Sequence, residues 1–352
     1  MRILIDGQTL ATPDVRRAIG NVVVNLIEQL VGHDVSRDWH IAVPTAAALD
    51  VLDPGVRARL KPVVLADHGL PMPPDPAAYA ALLERLAAER GIDLYWCPNP
   101  MMANVALPFG LRGPAVAATV YDLIPLEMPG LYLDRWPAAM ADDYRRRLSW
   151  LATAADRLVF ISQTSRDAFV DRFPEAAERC EAVLLGVDRT RFWPYNRPMA
   201  TREGRRVLFV GGFDPRKNMD GALLAFAALC RREGAAVADL SMDVVCAADP
   251  ASRRTFEERC RELGLTGRVR LTGFVPDAEL GRLYRDSSVF FFPSLAEGFG
   301  LPVAEAMACG VPVVASDLPV LREIGGDAVL YADPADAEAL AGALATALGP
   351  AR

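Results

Sequence analysis

The chain of 352 residues predicts two doubly wound α/β domains in tandem, each built on a parallel sheet. Three observations carry this reading. Short apolar runs alternate with longer segments whose apolar residues keep a 3.6-residue period, the signature of β-α-β-α succession. That alternation lapses once, over residues 187–205, and then starts again. The length also suits two cores of ordinary size rather than one. The predicted plan is an N-terminal domain over 1–186, a linker over 187–205 and a C-terminal domain over 206–352. Ligands of such sheets sit at the carboxyl ends of the strands, so two such domains are expected to face one another across a cleft.

The first domain opens with a strand over 2–5 and a helix over 19–31, in which Ile19, Val22, Val23, Leu26, Ile27 and Leu30 form the apolar face. Strands follow over 39–43 and 61–65, then a helix rich in alanine and leucine over 77–90 and a strand over 94–97. The proline-rich stretch 70–76 reads as a surface loop. The run 115–121 is a strand ending in Asp122-Leu123-Ile124-Pro125. A long helix over 137–155, a strand over 157–161, a helix over 164–172 and a strand over 182–185 complete the set. In the second domain the predicted strands are 207–210, 242–246, 269–271, 289–292, 311–315 and 328–331. The helices between and after them are 219–232, 252–263, 278–286, 303–309, 320–324 and 335–348.

Composition narrows the function classes. Apolar residues make up 52% and charged residues 24%, which describes a soluble globular protein. A net charge of −7 argues against a broad nucleic-acid-binding surface, though not against a local basic pocket. The six cysteines are scattered with no C-x-x-C pair, and the three histidines have no ligand spacing. Buried free thiols in a reducing compartment are expected, and no metal site. The chain enters a strand at once, without a signal-like segment, and no apolar run approaches the roughly 20 residues of a spanning helix. A cytoplasmic enzyme is the expectation, with peripheral contact at the inner face of the membrane left open. Arg145-Arg146-Arg147 reads as a solvated helix face.

Four stretches carry chemistry. In Glu297-Gly298-Phe299-Gly300-Leu301-Pro302-Val303-Ala304-Glu305, two carboxylates eight residues apart bracket a glycine-rich turn from strand to helix. Free N–H groups and the positive end of the helix dipole make such a turn hospitable to phosphate. Glu305, about one turn into the helix, leans back toward the turn's mouth. The second stretch, Gly211-Gly212-Phe213-Asp214-Pro215-Arg216-Lys217-Asn218, places two cations at a strand end, where they can neutralise a diphosphate. The third runs from Asp6-Gly7 to Gly20, a glycine at a helix start that serves either a phosphate or a tight turn. The fourth puts Tyr121 and Asp122 at a strand's carboxyl edge, where Asp122 either faces the cleft or caps the next turn.

Together these residues resemble the retaining nucleotide-sugar glycosyltransferases of the GT-B fold, family 4, and mannosyltransferase-like members in particular. Glu297 and Glu305 match the family's paired-glutamate signature, and Gly211 to Asn218 resembles its phosphate loop. Gly186-Val187-Asp188 with Phe192, Leu271 to Val275, and Ile19-Gly20 are similar to further family segments. The resemblance implies that Glu297 contacts the donor sugar beside the backbone of Gly298, Phe299 and Gly300. Leu301 would offer its N–H to the diphosphate, and Glu305 would hold the ribose hydroxyls. Arg216 and Lys217 would stabilise the departing diphosphate, and the backbone of Phe274 and Val275 would meet the base. It further implies hexose transfer with retention, without metal or other cofactor, to a glycan or glycolipid of a polysaccharide pathway. GDP-mannose is favoured as donor over a UDP-hexose.

The chain departs from the family pattern in several places. Tyr121 stands where many members carry histidine, and Gly212 where many carry arginine, a role Arg216 is expected to assume. The family's final helix, which crosses back to the first domain, is expected to be absent. Rival readings are an epimerase of the same fold acting on a UDP-amino sugar and a non-catalytic subunit that binds sugar nucleotides.

Overall fold

A computed structural model describes residues 1–13, 15, 18–70, 72–194 and 205–349. Arg16 and Arg17, Pro71 and most of the second half of the predicted linker lie outside the described residues. The chain divides into two compact units, Met1–Leu184 and Leu185–Arg352. The strands of the first are β1 (Arg2–Asp6), β2 (Asp38–Val43), β3 (Lys61–Val64), β4 (Leu94–Cys97), β5 (Ala115–Val120), β6 (Arg157–Phe160) and β7 (Cys180–Ala182). Those of the second are β8 (Arg206–Val210), β9 (Ser241–Val245), β10 (Val269–Leu271), β11 (Val289–Phe292), β12 (Val313–Ser316) and β13 (Val329–Ala332). The predicted fold class is the observed one, two parallel α/β sheets, ordered β3-β2-β1-β4-β5-β6-β7 and β10-β9-β8-β11-β12-β13.

Every strand pair in both sheets is parallel. The strands read as continuous apolar runs because helices cover both faces of such a sheet. β11 is the extreme case, with Val289, Phe290, Phe291 and Phe292 all buried. Helices start and stop where local chemistry directs. Asp75, Asp249 and Asp336 each accept from two backbone N–H groups at a helix start, and a left-handed Gly91 closes the helix Pro76–Arg90. All six cysteines are free thiols, five of them buried. No helix among the described residues is long and apolar enough to cross a membrane.

In each sheet the strand order reverses once, between β1 and β4 and between β8 and β11. At the first reversal the end of β1 is a polar knot. Asp6 is wholly buried and accepts from Tyr95 Oη (2.5 Å), Tyr79 Oη (3.0 Å) and both the amide and the side chain of Gln8. Burial pushes its carboxyl above the usual range, opposed by those hydrogen bonds. Gln8 in turn exchanges two hydrogen bonds with the main chain of Ala106.

Two residues of the triple-arginine stretch, Arg145 and Arg146, are exposed as the sequence suggests, and the third is not. Arg147 is buried in the helix Ala138–Ala154 and donates to the carbonyls of Pro100 (2.9 Å) and Val105 (2.8 Å) while pairing with Asp143 (2.5 Å). Arg146 lies over the Phe109 ring, 3.7 Å from its centroid. The residues after β4 run without regular structure, so their carbonyls need donors from elsewhere, and Arg147 supplies them. Replacing Arg147 by alanine leaves two carbonyls and a carboxylate without that donor. It should lower the unfolding free energy of the first unit by about 3 kcal/mol, read by urea titration of tryptophan fluorescence.

Candidate functional site

Strands β8 and β11 are neighbours at the reversal of the second sheet, so the loops that leave their carboxyl ends run side by side. The loop after β8 makes one short turn, Pro215–Lys217, capped by the Asp214 carboxylate on the Arg216 N–H (3.0 Å). Asn218 follows with φ of 56°, a left-handed conformation that asparagine tolerates better than most residues. Its side-chain amide donates to the carbonyls of Pro293 and Pro334, both at 2.9 Å, tying together the loops after β8, β11 and β13. The main chains also meet, with Leu295 N–H donating to Arg216 O at 2.6 Å.

This bracing aims the charged side chains at one point. Lys217 Nζ donates to Glu297 Oε1 at 2.6 Å, and Arg216 Nη1 to Glu297 Oε2 at 3.0 Å. Arg216 also reaches the Ala296 carbonyl (3.2 Å) and, through Nε, Asp214 (3.3 Å). The Glu297 side chain is 7% exposed, Lys217 14% and Arg216 24%, so the carboxylate is the innermost of the three. Lys217 Nζ stands 5.0 Å from the centroid of the Phe292 ring. Burial pulls the Lys217 ammonium below its ordinary pKa, against the opposing pull of Glu297. Two cations and two carboxylates cancel formally. What remains for an anion is a set of N–H donors that can be re-aimed and the start of the helix that follows.

That helix, Leu301–Ala308, is preceded by Gly300 at φ of 93°, and Pro302 falls in its first turn as predicted. Val303 N–H already closes on Gly300 O (2.8 Å), while Leu301 lies in the part of the turn that lacks intrahelical acceptors. Glu305 is one turn in, and Tyr284 Oη donates to its Oε2 at 2.9 Å. Gly298, Phe299 and Gly300, which form the turn, are all buried. Among the described residues no group of three histidine, cysteine or acidic side chains is placed to hold a metal ion.

The structure therefore brings together Glu297, Arg216, Lys217 and the 298–301 turn, with Glu305 on the helix behind them. Gly212 lies in the same loop, and a Cβ there would find only the Asp214 nitrogen, at 3.9 Å. Phe274 and Val275 follow β10, the phenyl ring 71% exposed and Val275 packed partly against the core. The residues of the first unit are occupied locally. Tyr121 is buried with its phenol donating to Pro98 O at 2.9 Å, and its carbonyl accepts from Ser165 Oγ at 3.2 Å. Asp122 accepts from the Ile124 N–H (3.1 Å), the capping role weighed for it. Gly20 is buried in the first turn of the helix Ala18–His33. Tyr284 is a residue that sequence reasoning missed, since an apolar helix position 21 residues from Glu305 carries no local signal.

Residues 198–349 match the model for glycosyl transferases group 1, and residues 19–191 match the model for Glycosyltransferase Family 4. An Escherichia coli O-antigen chain mannosyltransferase B is 40% identical over 134 residues, covering 38% of this chain and 34% of that one. The chain spans less than half the length of the first curated relatives it matches. Among solved structures, sucrose-phosphate synthase from Thermosynechococcus elongatus superposes with a TM-score of 0.70 at 21% identity, covering 98% of this chain and 88% of that one. Anabaena HepE in complex with UDP-glucose gives 0.66 at 19%, covering 97% and 88%. These two likenesses are of fold, and the fold is GT-B.

The turn before the helix Leu301–Ala308 tests how tightly the site is set. A Cβ on Gly300 would lie 2.5 Å from Leu321 Cδ2, at a backbone angle that L-residues rarely adopt. Gly300→Ala should lower the stability of the second unit by about 2 kcal/mol, measured by chemical denaturation.

Proposed function

We propose that this chain, a GT-B protein whose two halves match the two glycosyltransferase models, transfers a hexose with retention from a nucleotide diphospho-sugar to a glycan or glycolipid. One observation carries the reading. A nearly buried carboxylate, Glu297, is held by two cations beside a helix start, with a second carboxylate, Glu305, one turn further on. That arrangement supplies a cationic pair for a diphosphate, backbone N–H groups for its oxygens, and two acceptors for hydroxyl groups on either side of it.

In the proposed reaction the bond between the anomeric carbon and the diphosphate oxygen lengthens, leaving oxocarbenium character on the sugar. An acceptor hydroxyl attacks from the same face, its proton passing to the departing diphosphate oxygen. Arg216 and Lys217 are the groups placed to stabilise charge gathering on that diphosphate, assisted by the Leu301 N–H. Lysine has three N–H donors and arginine five, so each can turn one toward phosphate while keeping Glu297. Glu297 exchanges part of its cation contact for hydroxyls of the donor sugar, and Glu305 takes the ribose. The cations and the helix start supply the stabilisation that a divalent ion gives elsewhere, so the proposed reaction is independent of metal.

For the donor we favour GDP-mannose over a UDP-hexose. The mannosyltransferase similarity lies behind the first, and the UDP-glucose-bound neighbour of the same fold keeps the second in play. A thermal-shift series over nucleotide diphospho-sugars separates them, because a true donor raises the melting midpoint by mass action. With that donor, Lys217→Ala and Glu297→Ala should each reduce transfer at least a hundredfold while the circular dichroism spectrum stays that of the parent. Transfer should also persist in excess chelator. Near-normal turnover in both variants, or strict dependence on a divalent ion, counts against the mechanism.

A further inference from the structure

We infer that Tyr284 is a positioning residue for Glu305. Its hydroxyl fixes the carboxylate at the ribose end of the site, and Phe192 and Phe290 fix the tyrosine. The inference rests on the proposed role of Glu305 and adds a determinant of nucleotide recognition that lies outside the glycine-rich turn.

Tyr284 belongs to the helix Asp277–Asp286 and is wholly buried. Its Oη donates to Glu305 Oε2 at 2.9 Å, across from one helix to another. A glutamate on a helix has three side-chain torsions to lose on binding, an entropic cost. A fixed donor removes much of that cost in advance, provided the donor itself cannot turn.

The packing around Tyr284 meets that condition. Phe192 meets the Tyr284 ring edge-on at 5.9 Å between centroids, and Phe290 does so at 5.2 Å. Phe290 stacks on Phe292 at 5.7 Å, and Lys217 Nζ lies over the Phe292 ring. One run of aromatic rings thus backs both ends of the site, the ammonium at one end and the Glu305 carboxylate at the other. Burial, and next the charge of Glu305, push the Tyr284 phenol well above its ordinary pKa, so it keeps its proton and remains a donor. Most buried hydroxyls in proteins have a partner, and a backbone carbonyl would serve a purely structural tyrosine. Here the partner is the carboxylate that the site uses.

The two roles separate in a titration. Calorimetry with UDP and with GDP, and with counterparts of each that lack both ribose hydroxyls, is run on the parent, Tyr284→Phe, Glu305→Ala and the double variant. The expected result for Tyr284→Phe is about tenfold weaker binding of the nucleotide that the parent takes, with no change for its dideoxy counterpart. In the Glu305→Ala background the same change should add nothing. Phe192→Leu, which loosens the ring and leaves the hydroxyl, should give a ribose-specific loss of about threefold and serves if Tyr284→Phe fails to fold. Equal weakening of both nucleotide forms, or no weakening while Glu305→Ala abolishes the ribose preference, overturns the role of Tyr284 and leaves the proposed function standing. If Glu305→Ala keeps the ribose preference, or if neither nucleotide binds the parent, the reading of the site falls and this inference falls with it.

Discussion

The reversal of strand order between β8 and β11 constrains everything at the site. Two parallel strands that are neighbours in the sheet, with Val207 paired to Val289, deliver their following loops to one place although they lie far apart in the chain. The loop after β11 cannot drift, because all four residues of that strand are buried and its end is fixed with them. Glu297 is thereby carried into a position where its side chain is 7% exposed. A carboxylate so placed without partners would cost several kcal/mol in lost hydration. Arg216 and Lys217 remove that cost, and Asn218 and the Leu295 N–H hold their loop where they can do so. The cations are thus a structural requirement of the buried carboxylate before they are anything else.

The same burial explains why the site's rear wall is aromatic. A strand carrying Phe290 and Phe292 on one face offers rings that pack at angles favoured by their quadrupoles, each contact contributing about 0.5–1.5 kcal/mol beyond area burial. Phe192 joins that wall from the segment that enters the second unit. Nearby, Arg285 lies over the Trp193 ring at 3.9 Å and donates to Arg191 O. Residues 188–194, read from sequence as linker, are in this way part of the second unit's packing. Their loss of periodicity is real, but what it marks is a segment held by side chains rather than one free of contacts.

The two sheets were legible because parallel strands buried on both faces read as unbroken apolar runs. The paired-glutamate turn was legible because Gly300 and Pro302 punctuate it at the only places their backbones suit. The meeting of Arg216 and Lys217 with Glu297 could be inferred from the rule that such loops gather at strand ends, though not its geometry. Arg147 was misread for the opposite reason. Three arginines on a polar helix look solvated, and the acceptors that draw one of them inward are carbonyls of an irregular stretch with no periodicity to announce it. Tyr284 was hidden because helical spacing marks it only as core. Its hydroxyl acquires meaning from a contact with a different helix.

Tyr121 bears on how a donor sugar would be read in the reaction we propose. The family resemblance places a histidine at this position in many members, and a tyrosine there keeps the backbone carbonyl while changing the side-chain contact. The structure directs the side chain elsewhere. Its phenol donates to Pro98 O, burial pushes its pKa up, and even its carbonyl accepts from Ser165. Both polar groups are thus engaged within the first unit, at a strand end already braced by neighbouring loops. A buried phenol that left Pro98 would leave a carbonyl without its donor, at a cost of about 1–3 kcal/mol, so recruitment to a ligand is disfavoured. In the reaction we propose, discrimination among hexoses then falls on Glu297 and the backbone of the 298–301 turn. Glu297 supplies an acceptor and the turn supplies N–H donors, in positions that the sheet has already set.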